Sequence, residues 1–107
     1  MNEISRMFRL CDQISDGLLD EIYKQDKESR VAIEAMTTTG LVVIAGEVTT
    51  KAKVDYQHNV RRIIKEIGYN KPEYGFNADD VGVLVSIHEQ SSEIAQGVNE
   101  GEGLHKD

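Results

Sequence analysis

A single cysteine, a single proline and no long apolar run set the first limits on this chain of 107 residues. One cysteine, Cys11, excludes an internal disulfide framework and a cysteine-based zinc site. No stretch approaches the roughly eighteen apolar residues in a row that a membrane span needs. The first ten residues, MNEISRMFRL, lack the apolar centre of a secretory signal and carry Glu3. These absences lead to the expectation of a cytoplasmic protein. Walker A, GxGxxG and GxSxG patterns are missing too. Basic charge is scarce: 12 lysines and arginines stand against 19 aspartates and glutamates, a formal charge of −7. The densest basic stretch, Arg61-Arg62 with Lys65, has Glu66 beside it and reads as a solvated helix face. Nucleic acid is therefore not an expected partner. A nucleotide remains open, because an acidic protein binds one wherever a few cations and a metal are focused.

What is present fits one small soluble domain, with 39% hydrophobic residues to build a core and 29% charged residues to solvate it. From Cys11 to Gln25 the residues Cys11, Ile14, Leu18 and Ile22 share one helical face, which Leu19 and Tyr23 widen. Gly17 interrupts that helix at a cost of about 1 kcal/mol relative to alanine. Arg30 to Thr38 alternates like a strand, Thr39-Gly40 is a turn signal, and Leu41 to Thr50 is a second strand. Its run LVVIAGEV is apolar at nearly every position and calls for cover on both faces. Asp55 is placed to cap a helix carrying Tyr56, Val60, Ile63, Ile64 and Ile67, which Gly68 would close. Asn70 to Asp80 reads as loop, Val81 to Ile87 as a third strand, and the polar remainder as a mobile tail.

The resulting order, α-β-β-α-β, predicts an α+β unit: a sheet of three or more strands covered by two helices on one face. The expected organisation is a divergent segment over 1–10, a domain over 11–89, and a loop and tail over 90–107. The apolar second strand predicts that the other face meets a partner domain or subunit.

Glu34 and Glu47 are the informative pair, each a carboxylate inside an otherwise apolar strand. If the hairpin closes with two or four residues, Glu34 faces Ala45 and Glu47 is its diagonal neighbour on the same face. Their backbones are then about 7–8 Å apart, within reach of a shared cation or ammonium group. A three-residue loop would separate them, and an open face would simply point both at water. Asp12, Asp16 and Asp20 repeat at i, i+4 and i+8; a hard-cation site is one reading, and favourable placement in the N-terminal half of the helix is the preferred one. His58 and His88 have no cysteine or histidine at ligand spacing, which argues against a transition-metal site, and His105 lies in the tail. Cys11 sits on the apolar stripe as a packing residue.

Several stretches resemble the N-terminal part of the methionine adenosyltransferase (S-adenosylmethionine synthetase) family. These are CDQISDGLLDEI (Cys11 to Ile22), TTGLVVIAGEVTTKAKVD (Thr38 to Asp55), IKEIGY (Ile64 to Tyr69), EYGFNADDVGVLVSI (Glu73 to Ile87) and EQSSEIAQGV (Glu89 to Val98). The resemblance implies formation of S-adenosylmethionine from ATP and L-methionine with release of phosphate and pyrophosphate, using Mg2+ and K+, in a homo-oligomer whose subunits meet through flat sheet faces. It implies that Glu34 is associated with potassium, and that Glu47 and Gln90 bind methionine. It also implies that Gln90, Ser91, Ser92, Glu93, Ile94, Ala95, Gln96, Gly97, Val98, Asn99 and Glu100 form the flexible active-site loop. The sequence departs from the family pattern where GHPDK, with its catalytic histidine and magnesium-binding aspartate, would precede CDQISD. Ser5, Arg6, Met7, Phe8 and Arg9 stand there instead. Ser92 and Glu93 replace the usual proline and aspartate, and the family's GAGDQG does not occur. The expectation is thus a piece truncated at both ends, inactive alone, without its catalytic residues and magnesium ligand. The alternative is a non-catalytic module that pairs with a full-length relative through its sheet face.

Overall fold

The computed structural model describes residues 3–67, 70–71 and 76–90. Helix α1 (Glu3–Gln25) is followed by strands β1 (Arg30–Thr38) and β2 (Leu41–Thr49), then helix α2 (Tyr56–Glu66). Strands β3 (Asn70–Lys71), β4 (Phe76–Asn77) and β5 (Gly82–Gln90) complete the chain order. The main sheet has the order β1-β2-β5. β1 and β2 are antiparallel, whereas β2 and β5 are parallel. Parallel neighbours need a crossover, and the segment containing α2 supplies it. The architecture is the expected α+β arrangement of two helices and a three-stranded mixed sheet.

Several details differ from the sequence reading. Helix α1 starts at Glu3 rather than near Cys11, because SRMFR holds no glycine or proline to stop it. Leu10 then adds a lower rung to the buried series Ile14, Leu18 and Ile22, each one helical turn further on. Asp12 consequently lies well inside the helix, beyond reach of the dipole at its first turn. The segment read as loop contains a small antiparallel ladder, Asn70 opposite Asn77 and Lys71 opposite Phe76. Strand β5 continues past Ile87 to Gln90, since β2 offers partners as far as Thr49. The Thr50 N–H then donates to the Gln90 carbonyl at 2.9 Å. The polar residues His88, Glu89 and Gln90 would not signal a strand alone; the neighbouring backbone makes them one.

Alternation along β2 places Val42, Ile44 and Val48 on the helix side, where they meet Ile14, Leu18, Val60 and Ile64 or Ile22 and Ala52. Val43, Ala45 and Glu47 point the other way and are not buried. The run that looked apolar on both sides is covered on one face only among the described residues. Cys11 is half-buried, with its sulfur 3.4 Å from Thr37 Oγ1.

Two glycines mark close approaches. At Gly46, φ is +149°, and an added Cβ would collide with the carbonyl oxygen of Ala32 on β1. Both the backbone angle and the space therefore require glycine beside Glu47. At Gly17 an added Cβ would lie 2.9 Å from Ile63 Cγ1, so the missing side chain lets α1 approach α2. The helix propensity lost at Gly17 is offset by that packing.

Polar side chains fasten the corners. The Asp26 carboxylate accepts the Lys51 N–H at 2.8 Å and the Glu28 N–H at 3.1 Å. Buried Ser29 and Thr50 join hydroxyls at 2.6 Å beneath it. Gln25 exchanges two hydrogen bonds with the Lys53 backbone, at 3.1 and 3.0 Å. Arg61 is not a solvated cation: its Nη1 donates to the carbonyls of Ala78 and Val81 at 2.9 and 2.8 Å. Arg62 donates to Asn59 Oδ1 and pairs with Glu66 at 3.0 Å.

Candidate functional site

The uncovered face of the sheet is set by strand alternation and by register. Thr38 pairs with Leu41, so the hairpin closes with the two residues Thr39-Gly40. Glu34 therefore lies opposite Ala45, and Ala32 opposite Glu47. The two carboxylates are diagonal neighbours on one face, as a two-residue loop requires, and both are exposed.

The parallel pairing of β2 with β5 extends this surface. Glu47 lies beside His88, and Thr49 beside Gln90. Adjacent strands are about 4.8 Å apart, so Gln90 is the diagonal neighbour of Glu47 on its other side. Glu34, Glu47 and Gln90 thus form a diagonal, one residue from each strand and each offset by two positions from the last. A shallow depression is lined by Ala32, Glu34, Ala45 and Glu47, and a second by Glu47, Ser86 and His88. Glu47 belongs to both.

Glu34, Glu47 and His88 make no hydrogen bond or ion pair with the described residues. Exposed carboxylates in that condition are available to a cation or an ammonium group arriving from solution. No group of three or more metal-ligating side chains occurs among the described residues. A metal on this face would take one or two oxygens from the chain and the rest elsewhere.

Arg30 and His88 are the residues that sequence reasoning did not bring to this face. Arg30 lies on the same face as the diagonal, opposite Thr49, one row beyond Glu47. His88 is the direct cross-strand neighbour of Glu47. Alternation along β1 could have placed Arg30 on the face of Glu34, whereas no sequence signal could have placed His88, since a crossover leaves the register of a parallel strand unspecified. The expected loop residues Ser91 to Glu100 lie outside the described residues, and Gln90 itself ends β5. Asp12, Asp16 and Asp20 are exposed on α1, away from the diagonal. Ser5, Arg6, Met7, Phe8 and Arg9 form early turns of α1, with Phe8 69% exposed.

Beyond its polar rows, the same face is apolar. Met36, Val43 and Leu84 make one row across the three strands, and Leu41 begins the next. Met36 is 65% and Leu84 57% exposed. The face is thus divided into a charged end, near the start of β1, and an apolar end, near the hairpin turn.

A small α+β domain with a chemically divided open face is the class that fold and site define. Residues 8–92 match the family model for the S-adenosylmethionine synthetase N-terminal domain, and the chain belongs to that family. It is 51% identical over 96 residues to the S-adenosylmethionine synthase of Brachyspira hyodysenteriae, covering 90% of this chain. Against the S-adenosylmethionine synthase of Prochlorococcus marinus it is 50% identical over 100 residues, covering 92% of this chain. The chain spans 24% of the length of each of these relatives. The family is one of transferases. No helix among the described residues is long and apolar enough to cross a membrane.

Proposed function

We propose that this chain carries the methionine and potassium side of an S-adenosylmethionine synthase site, working in the cytoplasm on ATP and L-methionine. The observation that carries the reading is the diagonal of Glu34, Glu47 and Gln90 on one open face, in a chain of this family. Glu47 accepts from the methionine ammonium group, and the amide of Gln90 supplies a donor and an acceptor one row away. Glu34 gives a hard oxygen to potassium; its exposed, unpaired carboxylate suits that ion, which acts as structural support.

Magnesium fits less well. Residues 5–9 offer no carboxylate, and Phe8 cannot ligate a metal. The triphosphate side of the site is therefore not supplied by these residues, and no catalytic step is assigned to them. In the whole assembly the residues that follow Gln90 contribute to the active-site loop the family resemblance implies, and sheet faces of two subunits pack together.

Incubating the 107-residue chain with ATP, methionine, Mg2+ and K+ should give no S-adenosylmethionine above a blank. Turnover would overturn the division of the site. A calorimetric methionine titration, with Glu47→Gln as control, tests the surviving half. Heat that is unchanged in the variant would remove Glu47 from its role.

The apolar row of Met36, Val43 and Leu84, exposed at Met36 and Leu84, favours a second reading, a non-catalytic module that pairs with a full-length relative. Co-purification with such a relative would support it. A monomer at all concentrations, with no such association, would count against it.

A further inference from the structure

Helix α2 holds β5 along its length through side chains. Arg61 donates to the Val81 carbonyl just before the strand, and Gln57 Nε2 donates to the Val83 carbonyl at 2.6 Å within it. At the far end, the Tyr56 hydroxyl donates to Glu89 Oε2 at 3.1 Å. Tyr56 is the first residue of α2, behind the Asp55 cap, whose carboxylate accepts the His58 N–H at 3.0 Å. Its ring packs against the cluster of Ile22, Val48 and Ala52. The phenol is therefore anchored at its apolar end and presents one polar tip.

Glu89 is the residue between His88 and Gln90, and it points to the helix side while they face the open surface. Because strand side chains alternate, whatever fixes Glu89 also fixes the direction of Gln90. The strand end needs such help. Among the described residues β5 is an edge strand, its last residues are polar, and terminal ladder positions open most readily.

We infer that Tyr56 is a positioning residue for the site: its hydrogen bond to Glu89 fixes the last turnless stretch of β5 and so holds Gln90 in the row next to Glu47. The importance of Gln90 rests on the proposed function, but the positioning itself does not. Burial, and then the neighbouring Glu89 carboxylate, raise the Tyr56 phenol above its usual range, so it remains a donor in alkaline solution.

Residue-resolved amide exchange on the 107-residue chain tests this with Tyr56→Phe, Glu89→Ala and Glu89→Gln. Tyr56→Phe and Glu89→Ala should accelerate exchange across 88–90 by about five- to tenfold, the size of one lost hydrogen bond. Glu89→Gln keeps an acceptor and should restore the slow rates. Unchanged exchange across 88–90 in the first two variants would overturn the inference. So would an acceleration shared by the core of α1 and β2, because that would be global loosening rather than a local latch. A methionine titration of the unaltered chain is read separately. Its failure would sink the role of Gln90 as a ligand and leave the latch to be decided by exchange.

Discussion

The two faces of the sheet come from the same three strands, yet they obey different rules. On the helix side Val42, Ile44 and Val48 are buried against α1 and α2, each with many close neighbours. On the other side Glu34, Glu47 and His88 touch no partner among the described residues, and Met36 and Leu84 stand in solvent. The contrast teaches that stability and chemistry are separated here by one residue along each strand. A step from Ile44 to Ala45 crosses from the core to the site.

That separation can be broken at its strongest point first. Ile44→Ala should lower the unfolding free energy by about 2–5 kcal/mol, measured by urea titration, because it empties space between the strands and both helices. A loss under about 1 kcal/mol would mean that the core is looser than the packing implies. Gly46→Ala should follow at about 1–3 kcal/mol or more, since its Cβ meets the Ala32 carbonyl and the backbone angle is strained for alanine. The substitution should also disturb the register that aligns Glu34 with Glu47. Cross-strand NOE contacts between β1 and β2 would report it.

The acid limb of stability sharpens the comparison from outside the sheet. Asp26 is held below the usual carboxyl range, first by the Lys51 N–H and then by the Glu28 N–H. A lowered native value means that its contribution is complete above the unfolded value of about 3.9 and is lost as pH falls through the native value. Asp26→Asn should therefore flatten the stability profile below about pH 4 and leave its shape near neutrality unchanged. An unaltered acid limb would show that the carboxylate does not fasten this corner.

The smallest effects on stability belong to the open face. Glu34→Gln and Glu47→Gln should each change it by less than about 0.5 kcal/mol, while Glu47→Gln abolishes any methionine response. Met36→Ser with Leu84→Ser should likewise leave the melting temperature nearly unchanged, and should weaken any association through this face in sedimentation. A large loss of stability from either set would erase the distinction between the faces.

Much of this was legible in the chain. The period of the apolar residues in α2 and β1 is strong and local, and Asp55 and the Thr39-Gly40 turn mark their ends. With a two-residue turn, parity alone places Glu34 and Glu47 together. The start of α1 and the end of β5 were not legible, because neither depends on local preference. SRMFR continues a helix when Leu10 has a core to enter, and His88 to Gln90 become strand when β2 supplies their partners.

The sequence by itself determined the two helices, the three main strands and the family, and narrowed the hairpin register to a few alternatives, since each rests on residues close in the chain or on collinear identity. Only the tertiary structure decided that β5 lies parallel to β2, with His88 beside Glu47 and Gln90 completing the diagonal. It also decided which face the helices cover. The reason is physical: a hairpin transmits its register through two residues, whereas a crossover of some thirty residues transmits none, and packing of α2 against the core must set it.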